Sequence, residues 1–188
     1  ANKTASTLIQ RQLFPLIENS IYLGEDSCQI KDSLKIINSI IFNDKFNYSE
    51  NKIKAELDKS GFWNQSKLRI ISSEDLISYP HPSLAAKRIK NLFPDAKLIL
   101  FIRNQFDSII SWYLSHGSAL KRVPRSYWRN FVGFNDAIDF MIDFPEFSFN
   151  NAFNYYMHYN IYSKLYGEGN ITIIPFELLS FAPDIFFE

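Results

Sequence analysis

Arg103 and Ser111 stand eight residues apart, a guanidinium and a hydroxyl joined by the segment NQFDSII. A planar cation with five N–H donors and a small hydroxyl are residue types that hold a tetrahedral anion. The elements around them decide whether they can meet. Lys97–Ile102 (KLILFI) is a short, nearly continuous apolar run, the pattern of a strand covered on both faces in a parallel sheet. Asn104 is suited to cap a helix directly after it, and Asp107 three residues on completes a pattern like a capping box. At ~3.6 residues per turn, Ser111 then lies about two turns up that helix. A long side chain at the strand's carboxyl end and a hydroxyl on the helix would converge at the edge where ligands of open α/β sheets sit. The same spacing also suits a strand-end arginine paired with a carboxylate and a serine filling a small gap.

Two further groups fit the same chemistry. Lys3, Thr4, Ser6 and Thr7 lie at or just before the start of a predicted helix, Thr4–Glu18, with Leu8, Ile9, Leu13 and Leu16/Ile17 as its inner face and Pro15 as a kink or early end. A helix amino terminus presents free backbone N–H groups and the positive end of the dipole, so it favours phosphate, and Lys3 adds a full charge. An ordinary capped surface helix would use the same hydroxyls. Leu68–Ser72 (LRIIS) is a second predicted strand, and Ser73-Glu74-Asp75-Leu76 follows it directly. That segment stands at the carboxyl edge where ligands bind; a serine and acids after a strand also often just cap a helix and complement its dipole.

Leu92–Tyr113 (LFPDAKLILFIRNQFDSIISWY) resembles the 3′-phosphate-binding motif of sulfotransferases that use 3′-phosphoadenosine 5′-phosphosulfate (PAPS), with Arg103 and Ser111 on its two positions. Ala1–Gln10 (ANKTASTLIQ) is similar to that family's phosphosulfate loop, K-[ST]-G-[ST]-[ST]; Lys3, Thr4, Ser6 and Thr7 match, and Ala5 stands at the glycine. Weaker similarity covers Ser72–Leu76 and Ile173–Leu179, so the resemblance spans most of the chain.

The resemblance implies a three-layer α/β/α domain with a central parallel sheet, the P-loop-like sulfotransferase fold. It implies PAPS as donor, adenosine 3′,5′-bisphosphate (PAP) as product, and no metal. Lys3 and Glu74 would be catalytic, with Asp75 the nearest substitute for Glu74 and His116 a fallback base. Thr4, Ala5, Ser6 and Thr7 would hold the 5′-phosphosulfate, and Arg103 with Ser111 the 3′-phosphate. The acceptor would be a glycan or a small hydroxyl compound, or an amine. Lys121–Arg129 (KRVPRSYWR) carries four cations and no acid in nine residues. It reads as a solvated basic loop, or as a lining of the acceptor cleft in which Arg125 and Arg129 favour an anionic glycan.

Composition sets the outer limits. The 188 residues suffice for one α/β domain with a real core. No apolar run approaches the ~20 residues of a membrane span. Lys and Arg balance Asp and Glu at 20 each, so the chain as a whole is not committed to nucleic acid or an anionic membrane, and any anion site must be local. Cys28 is the only cysteine. That excludes an intrachain disulfide and a thiolate metal cluster, and suits a reducing compartment. No signal peptide is visible, and a glycan on the sequon Asn2-Lys3-Thr4 would obstruct the proposed loop. A cytoplasmic protein is expected.

One domain is expected over residues 1–188, incomplete at both ends. A phosphate loop of this kind follows a buried strand, and the family usually carries a Gly- and basic-rich closing segment toward its carboxyl end. Helices are predicted over Cys28–Phe42, Ser49–Lys59 (Ser49 as cap, Gly61 as stop), Pro82–Asn91, Phe134–Asp143 and Asn150–Tyr166 (Asn150 or Asn151 as cap, Gly167 as stop). The helix after Arg103 is expected to reach His116-Gly117. His158, among tyrosines, reads as a helix core histidine. Asn170–Ile174 is a third predicted strand, followed by a short turn, Pro175–Leu179, in which Glu177 is structural. Two other functions compete. A P-loop kinase or NTPase needs the G-x-x-x-x-G-K-[ST] spacing and a metal-binding Asp, and neither is evident. A non-catalytic nucleotide-binding module could keep the same fold.

Overall fold

The computed structural model describes residues 8–24, 27–63, 67–78, 81–114, 132–143 and 152–187. Lys3, Thr4, Ala5, Ser6, Thr7, His116, Arg125, Arg129, Asn150 and Asn151 lie outside them. The chain divides into two compact units. One takes in the described residues of Ala5–Leu76 and His81–Ala96, the other those of Ile77–Pro80 and Lys97–Glu188.

The first unit begins with two short helical turns, Ile9–Leu13 and Phe14–Leu16, and the chain is extended again at Ile17. The helix expected to Glu18 is thus broken into two turns around Pro15 and ends at Leu16. Its expected inner face is also corrected: Ile9 is buried, Leu16 is 77% exposed, and the polar Gln10 is buried instead. Next comes β1, Ser20–Gly24, a strand not expected from the sequence, buried along its whole length. Helix α1 spans Ser33–Ile41 and helix α2 Glu50–Lys59, the latter capped by Ser49 as expected. Strand β2, Leu68–Ser72, pairs parallel with β1 in the register Ser20↔Leu68 to Gly24↔Ser72. Helix α3, Pro82–Leu92, closes the unit. Ile36, Ile37, Ile40 and Ile41 of α1 and Ala85, Ala86, Ile89 and Leu92 of α3 are buried at helical spacing, and the two helices pack together with β1 under α1.

Strand β1 explains why the helix predicted from Cys28 starts only at Ser33. Its edge away from β2 is satisfied by side chains instead of by another strand. The Tyr22 N–H donates to Gln29 Oε1 at 2.6 Å, and Ser27 Oγ donates to the Tyr22 carbonyl at 2.6 Å. Ser33 Oγ accepts the Gly24 N–H at 2.8 Å and donates to the Gly24 carbonyl at 2.7 Å. Buried backbone groups need partners, and residues 27–33 supply them. Asp32 takes a left-handed backbone, φ 60°, on the way into α1. Gly24 is required here, because a Cβ would run into the Tyr22 ring.

The second unit opens with β3, Leu98–Ile102, and helix α4, Gln105–Trp112. Helix α5 is Phe134–Asp143, and helix α6 is Tyr155–Tyr166. Strand β4, Ile171–Pro175, pairs parallel with β3 in the register Leu98↔Ile171 to Ile102↔Pro175. Helix α6 starts later than expected because Asn154, accepting the Met157 N–H at 2.9 Å, is its cap in place of Asn150 or Asn151. Trp112, Val132, Ala137, Phe140 and Phe153 form a buried cluster on which α4 rests. Both sheets are parallel, as predicted. The described strands form two pairs, one within each unit.

Candidate functional site

The junction from β3 to α4 carries the best-defined candidate. Apolar β3 ends at Ile102, and Arg103 follows at once, half-buried at the carboxyl edge of the β3–β4 pair. Asn104 caps α4: its Oδ1 accepts the N–H of Phe106 at 3.0 Å and of Asp107 at 3.3 Å. The capping box expected of Asp107 is replaced. The Asn104 N–H donates instead to Glu177 Oε1 at 2.8 Å, from the turn after β4. The Ser108 N–H donates to the Asn104 carbonyl at 3.0 Å, the first bond of the helix proper. The amides of Asn104, Phe106, Asp107 and Ser108 are therefore occupied, and an anion at this edge would be met chiefly by side chains.

Arg103 supplies a cation there. Its guanidinium lies 5.2 Å from the centroid of the Phe176 ring. Ser111 stands in the last turn of α4, half-buried. Ser108, one turn earlier, is fully buried, with its Oγ 3.4 Å from the Tyr155 hydroxyl. The helix is held in place by Gln105 Nε2, which donates to the Phe153 carbonyl at 2.8 Å, and by the Tyr113 hydroxyl, which donates to the Val132 carbonyl at 2.8 Å. Rigid elements of this kind hold a recognition group better than a loop does.

Glu74 lies in the first unit, half-buried in the turn between β2 and a short helix, Asp75–Ser78. Ser73 Oγ accepts the Asp75 N–H at 3.2 Å, so the local capping role open to this segment is filled by Ser73. The end of β2 is tied down by Gln10, whose Nε2 donates to Ser72 Oγ at 2.9 Å. Among the described residues no group of three or more His, Cys, Asp or Glu side chains gathers to hold a metal, and no helix is long and apolar enough to cross a membrane. His158 is fully buried on α6.

Phe176 and Glu177 are the site-region residues whose long-range contacts the sequence did not reveal. The only local signal was an aromatic and an acid directly after a strand.

Over 97% of its length the chain resembles the crystal structure of a sulfotransferase from Alicyclobacillus acidocaldarius, with a TM-score of 0.62, 15% identity and 73% of that protein covered. No family model matches the chain, and no curated protein matches it in sequence. The likeness is one of fold.

Proposed function

We propose that this chain, similar in fold to a sulfotransferase, is a PAPS-dependent enzyme that moves a sulfuryl group to a hydroxyl or amine of an acceptor. The observation that carries the proposal is Arg103 at the carboxyl edge of a parallel sheet with Ser111 on the helix that follows, in a chain of that fold. Arg103 and Ser111 hold the ribose 3′-phosphate, which separates this donor from ATP. Lys3 and the backbone of Thr4, Ala5, Ser6 and Thr7 hold the 5′-phosphosulfate.

The acceptor oxygen attacks sulfur in line, an O–S bond forms, and the bond from sulfur to the leaving phosphate oxygen breaks. Lys3 neutralises the charge that grows on that oxygen. Glu74 takes the acceptor's proton. A carboxylate is a weak base toward an alcohol, so the proton leaves as the sulfuryl group arrives. Positioning and fixed charge supply the acceleration without a bound metal. Arg125 and Arg129 favour an anionic glycan as acceptor.

Calorimetric titration with PAP and with ATP, each with and without magnesium, tests the reading. Tight, magnesium-independent binding of PAP and weak binding of ATP are expected. Magnesium-dependent ATP binding would point to a kinase or NTPase instead. PAP binding without turnover of PAPS on any acceptor would leave a non-catalytic nucleotide-binding module. Lys3→Ala is expected to abolish transfer with the fold intact, and unchanged turnover would remove Lys3 from the mechanism.

A further inference from the structure

Arg103 is bracketed by a single dipeptide from the far end of the chain. On its amino side, the Ile102 carbonyl accepts the Phe176 N–H at 2.7 Å. On its carboxyl side, the Asn104 N–H donates to Glu177 Oε1 at 2.8 Å. Its own guanidinium lies over the Phe176 ring, 5.2 Å from the centroid. The register of β3 with β4 ends at Ile102↔Pro175, so the turn is delivered directly opposite Arg103. The Phe176 N–H makes the last regular rung of this parallel ladder.

These three contacts do more than end a sheet. The cap of α4 is already complete in Asn104, so Glu177 is not needed to satisfy Phe106 or Asp107. It fixes the peptide that follows Arg103. The Phe176 ring lies against the guanidinium, and the two hydrogen bonds hold the peptides on either side of Arg103. A long arginine held this way loses less rotamer freedom when an anion arrives.

We propose that Phe176 and Glu177 are positioning residues for Arg103, and that they set the preference of this strand end for a nucleotide with a 3′-phosphate. The proposal rests on the reading that Arg103 holds that phosphate. The test is the ratio of affinities for PAP and adenosine 5′-monophosphate, measured by calorimetry on the full chain.

Phe176→Leu and Glu177→Ala should each lower that ratio about threefold to fivefold, the scale of one half-exposed cation–π contact or hydrogen bond. Glu177→Gln keeps an oxygen acceptor and should stay near the parent ratio. In an Arg103→Ala background, Phe176→Leu should change the ratio no further. If Arg103→Ala lowers the ratio while Phe176→Leu and Glu177→Ala leave it intact, the positioning role is overturned and the phosphate assignment stands. If Arg103→Ala leaves the ratio unchanged, the assignment falls and the positioning role with it. Should Glu177→Ala prove too unstable to titrate, Phe176→Leu decides alone, because it keeps every backbone hydrogen bond.

Discussion

The backbone N–H of Asn104 donates to Glu177 Oε1 at 2.8 Å across 73 residues of chain. Asn104 thus has two separate roles at one junction: its side chain caps α4 and its amide anchors the turn after β4. Asn104→Ala removes the first role and leaves the second. A loss of about 1 kcal/mol is expected for such a cap, with Asn104→Asp nearly neutral. Urea unfolding of the two variants measures the difference. Equal loss from both would show that the side-chain oxygen contributes nothing.

Glu74 and Ser73 divide the turn after β2 between them, with Ser73 as the local cap. Glu74→Gln replaces the carboxylate by a neutral amide of the same size. Under the proposed mechanism it should keep donor binding and lose turnover, by about two to four orders of magnitude for a lost general base. Rates with PAPS and a sulfatable acceptor, set beside calorimetry with PAP, separate the two effects. Full activity in the variant would pass the role to Asp75 or His116.

The β3–α4 junction was legible because its signals are contiguous: an apolar run, a cation, then Asn104 at the cap position, all within a few residues. The same holds for α2, α5 and β2, whose periodicity and caps are local. Strand β1 was not legible. It is only five residues, starts with Ser20 and ends with Gly24, and its outer edge is completed by Ser27, Gln29 and Ser33, which read as turn or helix residues. The structural role expected of Glu177 is the bond it accepts from Asn104. Its partner could not be named, since no local pattern reports a contact 73 residues away. Gln10 is a similar case: a polar side chain is buried at a position of an amphipathic pattern because Ser72 lies opposite it.

Asp44 gives a pH-dependent prediction within the first unit. Its carboxylate accepts the N–H groups of Asn47 at 2.9 Å and Phe46 at 2.8 Å, and the side-chain amide of Asn47 at 2.8 Å. These bonds, the Asn47 backbone N–H foremost, hold its pKa below the ordinary aspartate value of 3.8, and the nearby Arg88 charge adds to them. A pKa depressed in the folded state means stability that is present above the unfolded value and lost as pH falls through the folded one. The contribution should begin to fade near pH 4 and continue to fade below it. Asp44→Asn should flatten that part of the acid limb in denaturant midpoints measured from pH 7 down to pH 3. An unchanged acid limb would mean that other carboxylates carry it.

Ser108 and Ser111 stand one turn apart on α4 with opposite expected roles. Ser108 is fully buried, its Oγ 3.4 Å from the Tyr155 hydroxyl. Ser108→Ala removes that neighbour from Tyr155 and should cost about 1 kcal/mol, leaving the preference for PAP over adenosine 5′-monophosphate unchanged. Ser111 is half-buried on the helix that Arg103 precedes. Ser111→Ala should lower the PAP preference several-fold, as loss of one hydrogen bond to a charged group does. Stability and nucleotide preference measured on both variants give four numbers. The opposite pattern, with Ser108 controlling the preference and Ser111 only stability, would move the anion contact one turn down the helix, toward the amides that Asn104 already occupies.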